Sequence, residues 1–514
     1  MKKILLAICI VFTVSNCSNE YLETPSLTQI AEGNFWQSES DAFLALNGVY
    51  SSLQARSLYG GSLNAFQGIP GYDCLGDNSF NQYKWEGPGV FMEGNYDPTN
   101  RQFSGIWDDS YRGIARVNGV IKNVKDISED LVPLETKDAL LGQAYFLRAL
   151  LYFNLAVYFE DAPLITEPQT LETAYVAKNT YAEITEQIIE DLKFAIDALP
   201  ASHPDNLYGY ATKGAALGLF ARVQLYNKQY DGEFGVLALT QEAMGLGYML
   251  HPNYGALFTP ANETSAEIVF AVRFFANPVS NNGETFSATF NGTPKVDQRP
   301  MPNLVKDYYC TDGLPITSSP LYSAADERLN RDPRALATIY FKNDQFLDDP
   351  VRVFPGNGPT KYGMRKYIRR GPDADGNGTG GAGSQDFYIL RYADILLMRA
   401  EAFAETNDIP GARSLINQVR GRVGMPSIES VEGAVNQQQM IEIVRHERRV
   451  ELALEGLRFM DLKRWGTIEE AFNRAIADPV GPYNPQYRGG KSEVFPIPQS
   501  EIDVNSKLVQ HPDW

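Results

Sequence analysis

The fold can be read from ETKDALLGQAYFLRALLYFNLAVYF, residues 135–159. Leu141, Tyr145, Leu147, Leu151 and Leu155 recur at the spacing of a helical face, and the pattern stops before Pro163. Ala144 and Ala149 lie among them, small enough for a second helix to approach closely. The same periodicity predicts helices over Phe35–Leu53, Ile106–Val124, Tyr181–Leu199, Ala211–Tyr226 and Phe234–Met244. A last group covers Phe387–Glu405, Pro410–Val423, Gln437–Glu455 and Leu457–Trp465. Short turns join these helices into pairs, with Ala215, Ala216, Gly218, Ala221, Ala400, Ala402 and Ala404 where neighbours must meet. The reading is a mainly α fold built on tetratricopeptide-like helical hairpins.

Other stretches have a different character. The helical frame takes in about 35–55, 105–250 and 386–465; about 56–104, 251–385 and 466–514 form an irregular remainder. Residues 56–104 and 251–385 are rich in Gly, Pro, Asn, Asp and aromatics and carry no helical stripe. They are too long for ordinary connections in a compact domain, and loops on a rigid scaffold are where binding surfaces commonly sit.

A 44% hydrophobic share over 514 residues rules out a disordered chain. Acids outnumber bases 63 to 45, net charge −18, so no nucleic acid partner is expected. Lys2 and Lys3 precede an apolar run from Ile4 to Val14, the layout of an export signal over residues 1–16. Cys17 directly follows, and Val14-Ser15-Asn16-Cys17 resembles a bacterial lipobox, although Asn16 stands where Gly, Ala or Ser is usual. That resemblance implies cleavage before Cys17 and its acylation, which would hold the protein on outer-membrane lipid; plain secretion is the alternative. No later stretch approaches the length of a membrane span. Cys74 and Cys310 lie far apart without a C-x-x-C pattern and are expected as unpaired thiols.

A series of short motifs runs in order along the chain. It begins with Cys17, Tyr21-Leu22-Glu23, Phe35-Trp36 and Asp41-Ala42, then Gln143–Ala149 with Tyr152-Phe153 and Ala162-Pro163-Leu164. Asp312-Gly313, Arg391–Asp394, Leu397–Ala402, Ile416-Asn417 and Val419-Arg420 follow. Glu447–Arg449, Glu451-Leu452, Arg458, Asp461-Leu462, Arg464-Trp465, Phe495–Pro498 and Trp514 close it. In this order the motifs resemble the SusD/RagB family of surface glycan-binding lipoproteins. The resemblance implies four tetratricopeptide-like pairs carrying an irregular ligand-binding part. It implies a lipid-anchored place on the outer face of an outer membrane, as a lid over a SusC-like TonB-dependent transporter that receives captured oligosaccharide. It implies no catalysis. A peptide receptor of the RagB type on the same scaffold is the nearest rival, with a glycoside hydrolase or a structural adaptor behind it.

The residues offer little to an enzyme. His203, His251, His446 and His511 are not within helical reach of one another, and no G-x-S-x-G occurs. Gly376–Gly381 matches G-x-G-x-x-G but follows no predicted strand, so it reads as a flexible loop and no cofactor is implied. Asp373, Asp375 and Asn377 imitate half of a calcium loop; Ser384 stands where a bidentate Glu is needed, and a mobile acidic loop is the plainer reading. Glu447, Glu451 and Glu455 share a helical face with arginines interleaved, which predicts ion pairs within and between the last helices in place of paired catalytic carboxylates.

Sugar rings present apolar C–H faces fringed by hydroxyls, so a receptor needs an aromatic platform edged by polar groups. The stretch Tyr72 to Trp85 supplies Tyr72, Asp73, Asp77, Asn78, Tyr83 and Trp85. Trp85 is the leading stacking residue, with a plug of a small satellite core as its alternative. Tyr309 and Cys310, with Tyr322 nearby, offer a second wall, and Arg369 and Arg370 offer donors to hydroxyls. Trp36, Trp107 and Trp465 read as packing residues.

Overall fold

The computed structural model describes residues 35–61, 68–81, 87–276, 283–287, 298–371, 383–481 and 483–514. Its frame is a run of helices in which each packs on the next along the chain. These are α1 (Glu39–Leu53), α2 (Arg101–Asp126), α3 (Leu134–Phe159), α4 (Tyr181–Ala198), α5 (Lys213–Tyr226), α6 (Val236–Met244), α7 (Tyr392–Glu405) and α8 (Ile409–Arg422). α9 (Gln437–Glu451) lies across α7 and α8, and α10 (Arg458–Trp465) and α11 (Ile468–Ala477) follow.

Local chemistry sets the ends. Thr180 and Glu183 form a capping box at the start of α4, and Asn436 and Gln439 form another at α9. α2 buries Trp107, Ile114, Val117, Ile121 and Val124 along one stripe. α3 is different: nearly every residue from Leu140 to Phe159 is buried, because α1, α2, α4 and α5 all pack on it. By length and composition this one helix passes as a membrane span, contrary to the sequence expectation, but its apolar surface is consumed by the protein's own core. Close approach is local to small residues: a Cβ on Gly113 of α2 would lie 2.8 Å from Leu151 of α3. Arg148 of α3 grips Asp191 of α4 with two parallel hydrogen bonds of 2.8 and 2.7 Å inside this packing.

One predicted helix is partly a strand. Phe387–Arg391 forms β6, paired antiparallel with β2 (Ile268–Val272), and α7 begins only at Tyr392. Phe387-Tyr388-Ile389-Leu390 is a continuous buried apolar run, which periodicity alone cannot assign to strand or helix. Two further small sheets join β1 (Ser79–Asn81) to β3 (Gln298–Pro300) and β4 (Ile339–Tyr340) to β5 (Gly363–Met364). The irregular part is seated on the frame by an aromatic cluster: Tyr158 of α3 stacks on Phe495 at 5.3 Å and meets Tyr72 edge-on at 5.1 Å. Trp107 is buried, while Trp36 and Trp465 are half-buried. Cys74 and Cys310 are buried free thiols.

Candidate functional site

The stretch expected to ring a ligand divides in two. Its first half is buried. The Tyr72 hydroxyl accepts a 2.8 Å hydrogen bond from Gln102. Asp73 accepts from the backbone N–H groups of Leu454 (2.6 Å) and Gly456 (3.0 Å) and from the Asn78 amide (3.0 Å). The turn it holds is demanding, since Leu454 and Gly456 both adopt positive φ, 64° and 76°. Asp77 is gripped by Arg458 at 2.7 Å, Arg474 at 2.6 Å and Arg449 at 3.1 Å, while Arg449 also donates to Asn78 at 2.9 Å. Burial alone would raise the Asp77 carboxyl; the three guanidinium groups outweigh it and hold it well below the usual carboxylate range. Asp73 moves the other way, because burial outweighs its hydrogen bonds. Tyr72, Asp73, Asp77 and Asn78 therefore face inward and spend their polar atoms on the protein, where the sequence reading had placed them on a surface.

The second half, Tyr83 and Trp85, lies outside the described residues, as do Cys17 and the Asp373–Asn377 loop. What the structure does give is the strand that precedes Tyr83 in the chain. Ser79, Phe80 and Asn81 pair with Pro300, Arg299 and Gln298, so the chain leaves β1 opposite Gln298, two residues before Tyr83. Nearer the frame, Glu284 bridges to Gly383 and the Thr285 N–H donates to the Gly60 carbonyl at 2.9 Å. Arg369 closes this junction: its Nε donates to Ser287 at 2.7 Å and lies 3.3 Å from Glu284. It is thus an internal tie and is not presented to a ligand.

The remaining candidates do not gather. Cys310 is completely buried, which takes it away from any ligand surface. Tyr309 is half-buried, stacked on His446 at 4.1 Å beside a cavity of about 130 Å³. Tyr322 lies under the Arg331 guanidinium at 5.8 Å. Arg370 opens on another cavity, about 620 Å³, with Arg365, Asp348 and Tyr254. Tyr208 and Tyr210, which no sequence pattern singles out, line two cavities of about 270 and 260 Å³ together with Arg273. Glu263 accepts from the Asp386 N–H at 2.7 Å; burial pushes both carboxyls up, to about 8 and about 7, with Asp386 repelling Glu263 and Glu284 repelling Asp386.

Glu447, Glu451 and Glu455 are buried ion-pair partners, as their spacing implied, but not with the arginines of their own helix. Arg391 reaches Glu451 (2.7 Å), Glu455 (2.8 Å) and Glu267 (2.8 Å); Arg422 reaches Glu451 (2.6 Å); Lys366 reaches Glu455 (2.9 Å). Arg334 pairs with Asp332 at 2.7 Å and with Glu451 at 3.1 Å, and also meets Glu447. Adjacent residues on a helix do not face each other, so Arg448 turns instead to Asp394 (3.0 Å) and Asp461 (3.1 Å). Each of these glutamates is enclosed by cations and none faces a cleft in the way a glycosidase pair must.

Both halves of the chain match family models: residues 266–514 that of the SusD family, and residues 26–225 that described as starch-binding and associating with the outer membrane. The chain belongs to the SusD family. Among its relatives, SusD-like protein P25 of Formosa agariphila is 27% identical, over 99% of this chain and 98% of that one. The crystal structure of a SusD-like carbohydrate-binding protein from Bacteroides fragilis superposes with a TM-score of 0.80 at 28% identity, covering 92% of this chain and 100% of the other. A laminarin-binding SusD-like protein matches at 25% identity and a TM-score of 0.73, over 93% of this chain and 100% of its own.

Proposed function

We propose that this protein is a surface lipoprotein of the outer membrane that captures oligosaccharide and delivers it, without cleaving it, to a SusC-like TonB-dependent transporter. The family's description as starch-binding and outer-membrane-associated supports the ligand class and the location, as do the carbohydrate-binding and laminarin-binding relatives. The observation that carries the reading is the clamped segment that leads into β1. Asp73, Asp77 and Asn78 are held by hydrogen bonds and ion pairs, so the chain is rigidly anchored just before the position of Tyr83 and Trp85, and a stacking platform needs such an anchor. In this reading Trp85 stacks on a sugar ring, Tyr83 assists it, and Cys17 carries the acyl chains.

Calorimetry of the protein against neutral polysaccharides, their oligosaccharides and mixed peptides, with product analysis on the same samples, tests the reading. Binding of saccharide without new reducing ends is expected. Trp85→Ala is expected to abolish it or weaken it sharply while the melting temperature stays put; full retained binding removes Trp85 from the site. Peptide binding alone moves the protein to the RagB type of receptor. Cys17→Ser is expected to release the protein from the membrane fraction.

A further inference from the structure

The cavity that holds Arg370 carries more positive charge than its walls neutralise. It lies between the short helices Tyr254–Leu257 and Pro333–Thr338 and has a volume of about 620 Å³, within the range of small-molecule sites. Its ionisable lining groups include three arginines, Arg365, Arg370 and Arg422, against one carboxylate, Asp348. In a chain of net charge −18 such an excess is local and specific.

Arg422 is already committed to Glu451 at 2.6 Å and Glu267 at 3.3 Å. Arg365 and Arg370 are not. Arg365 donates one hydrogen bond, to the Leu336 carbonyl at 3.0 Å, and Arg370 donates one, to the Gly255 carbonyl at 3.3 Å. Their carboxylate neighbour Asp348 stands 3.9 and 4.0 Å away, beyond hydrogen-bonding distance. The Nε of each is buried without a hydrogen-bond partner among the described residues. A guanidinium has five N–H donors, so both keep most of theirs unused. The ring of Tyr340 lies 5.2 Å from the Arg365 guanidinium and helps to fix its place. Burial lowers the proton affinity of Arg370 by more than Tyr340 and the Asp348 carboxylate, 4.0 Å away, raise it; an arriving anion would add a closer counter-charge. Beside the arginines stand Leu336, Ala337 and Pro252, an apolar wall with the Thr259 and Asn253 side chains next to it. A free inorganic anion has no use for that wall, whereas a sugar ring does.

We propose that this cavity takes the anionic group of an acidic saccharide, a uronate carboxylate or a sulfate ester, between Arg365 and Arg370. The inference rests on the glycan-binding reading above and names its substrate class. Both groups present oxygens that a guanidinium fork can hold with two hydrogen bonds at once.

Calorimetry with four probes tests it: neutral oligosaccharides, uronate-bearing oligosaccharides of the same length, sulfated ones, and sodium sulfate. The acidic oligosaccharides are expected to bind roughly ten-fold or more tightly than the neutral set, because hydrogen bonds to charged groups exceed that threshold. The advantage should shrink as salt is raised. The double variant Arg365→Gln/Arg370→Gln is expected to reduce acidic binding to the neutral level. Asp348→Asn keeps both arginines and suits the left-handed backbone there (φ 58°), and is expected to tighten acidic binding roughly two- to five-fold. Equal binding of neutral and acidic saccharides overturns the proposal and leaves the glycan reading intact. So does an acidic preference that survives in a folded double variant, or sulfate-ion binding with no preference for acidic saccharide. Silence toward every saccharide overturns both.

Discussion

The helical frame and the irregular part are held by different forces. In the frame, neighbouring helices bury apolar stripes against one another, and buried pairs such as Arg148–Asp191 are added to a surface that already fits. In the irregular part and its seat on α9 and α10, clusters of buried charge join the aromatic contacts: Asp77 under three arginines, and Arg391 among Glu267, Glu451 and Glu455. Segments without a helical stripe cannot specify their own register by periodicity. A charge buried against one partner set supplies it, since any other placement leaves an ion unpaired away from water.

This contrast can be broken by substitution. Arg391→Met leaves three buried glutamates short of a cation and should cost about 3–5 kcal/mol, read from urea unfolding. Leu151→Ala, in the middle of α3, should cost about 3 kcal/mol through the cavity it opens, with a cost that does not vary with pH. Asp77→Asn keeps an acceptor and loses the charge; a cost of about 2 kcal/mol at pH 7 is expected. Because the folded Asp77 titrates below its unfolded value, its contribution is complete above the ordinary carboxylate range and is lost as pH falls through the folded value. The Asn variant should therefore flatten the acid limb of the stability curve below about pH 4, which Leu151→Ala should leave unchanged. The smallest effect is expected at Glu263 and Asp386, whose folded carboxyls titrate near 8 and 7. Raised acids stabilise below their unfolded values, and that contribution is lost as pH rises through 7 and 8. Glu263→Gln should raise the melting temperature at pH 8.5 by roughly 1–3 °C and change little at pH 5.

The same contrast decided what was legible. Helices α2 to α6 and α8 follow the sequence reading to within a few residues: α2, α4, α6 and α8 each bury one periodic face, while α3 and α5 are buried nearly all round and are too long for strands. Phe387–Arg391 was misassigned because a fully buried strand and a buried helix share the same apolar run. Tyr72, Asp73, Asp77 and Asn78 were read as a surface because polar, Gly-bearing stretches usually are. The distant partners of Asp73, Asn78 and Asp77, namely Leu454, Arg449 and Arg458, are hundreds of residues away and leave no local trace. Arg365, with Tyr208 and Tyr210, escaped notice for the same reason: nothing near them in sequence marks the cavities they line.

The separation of Asp77 from Arg458, 381 positions, also has a consequence for the order of events in folding. Helices that touch their neighbours along the chain assemble from short loops, whereas this tie closes a loop spanning most of the protein. The clamp is therefore expected to form after the barrier has been crossed. Loosening it should speed unfolding and leave the folding rate nearly unchanged, so the tie beneath the candidate platform sets how long the finished protein lasts more than how fast it is made.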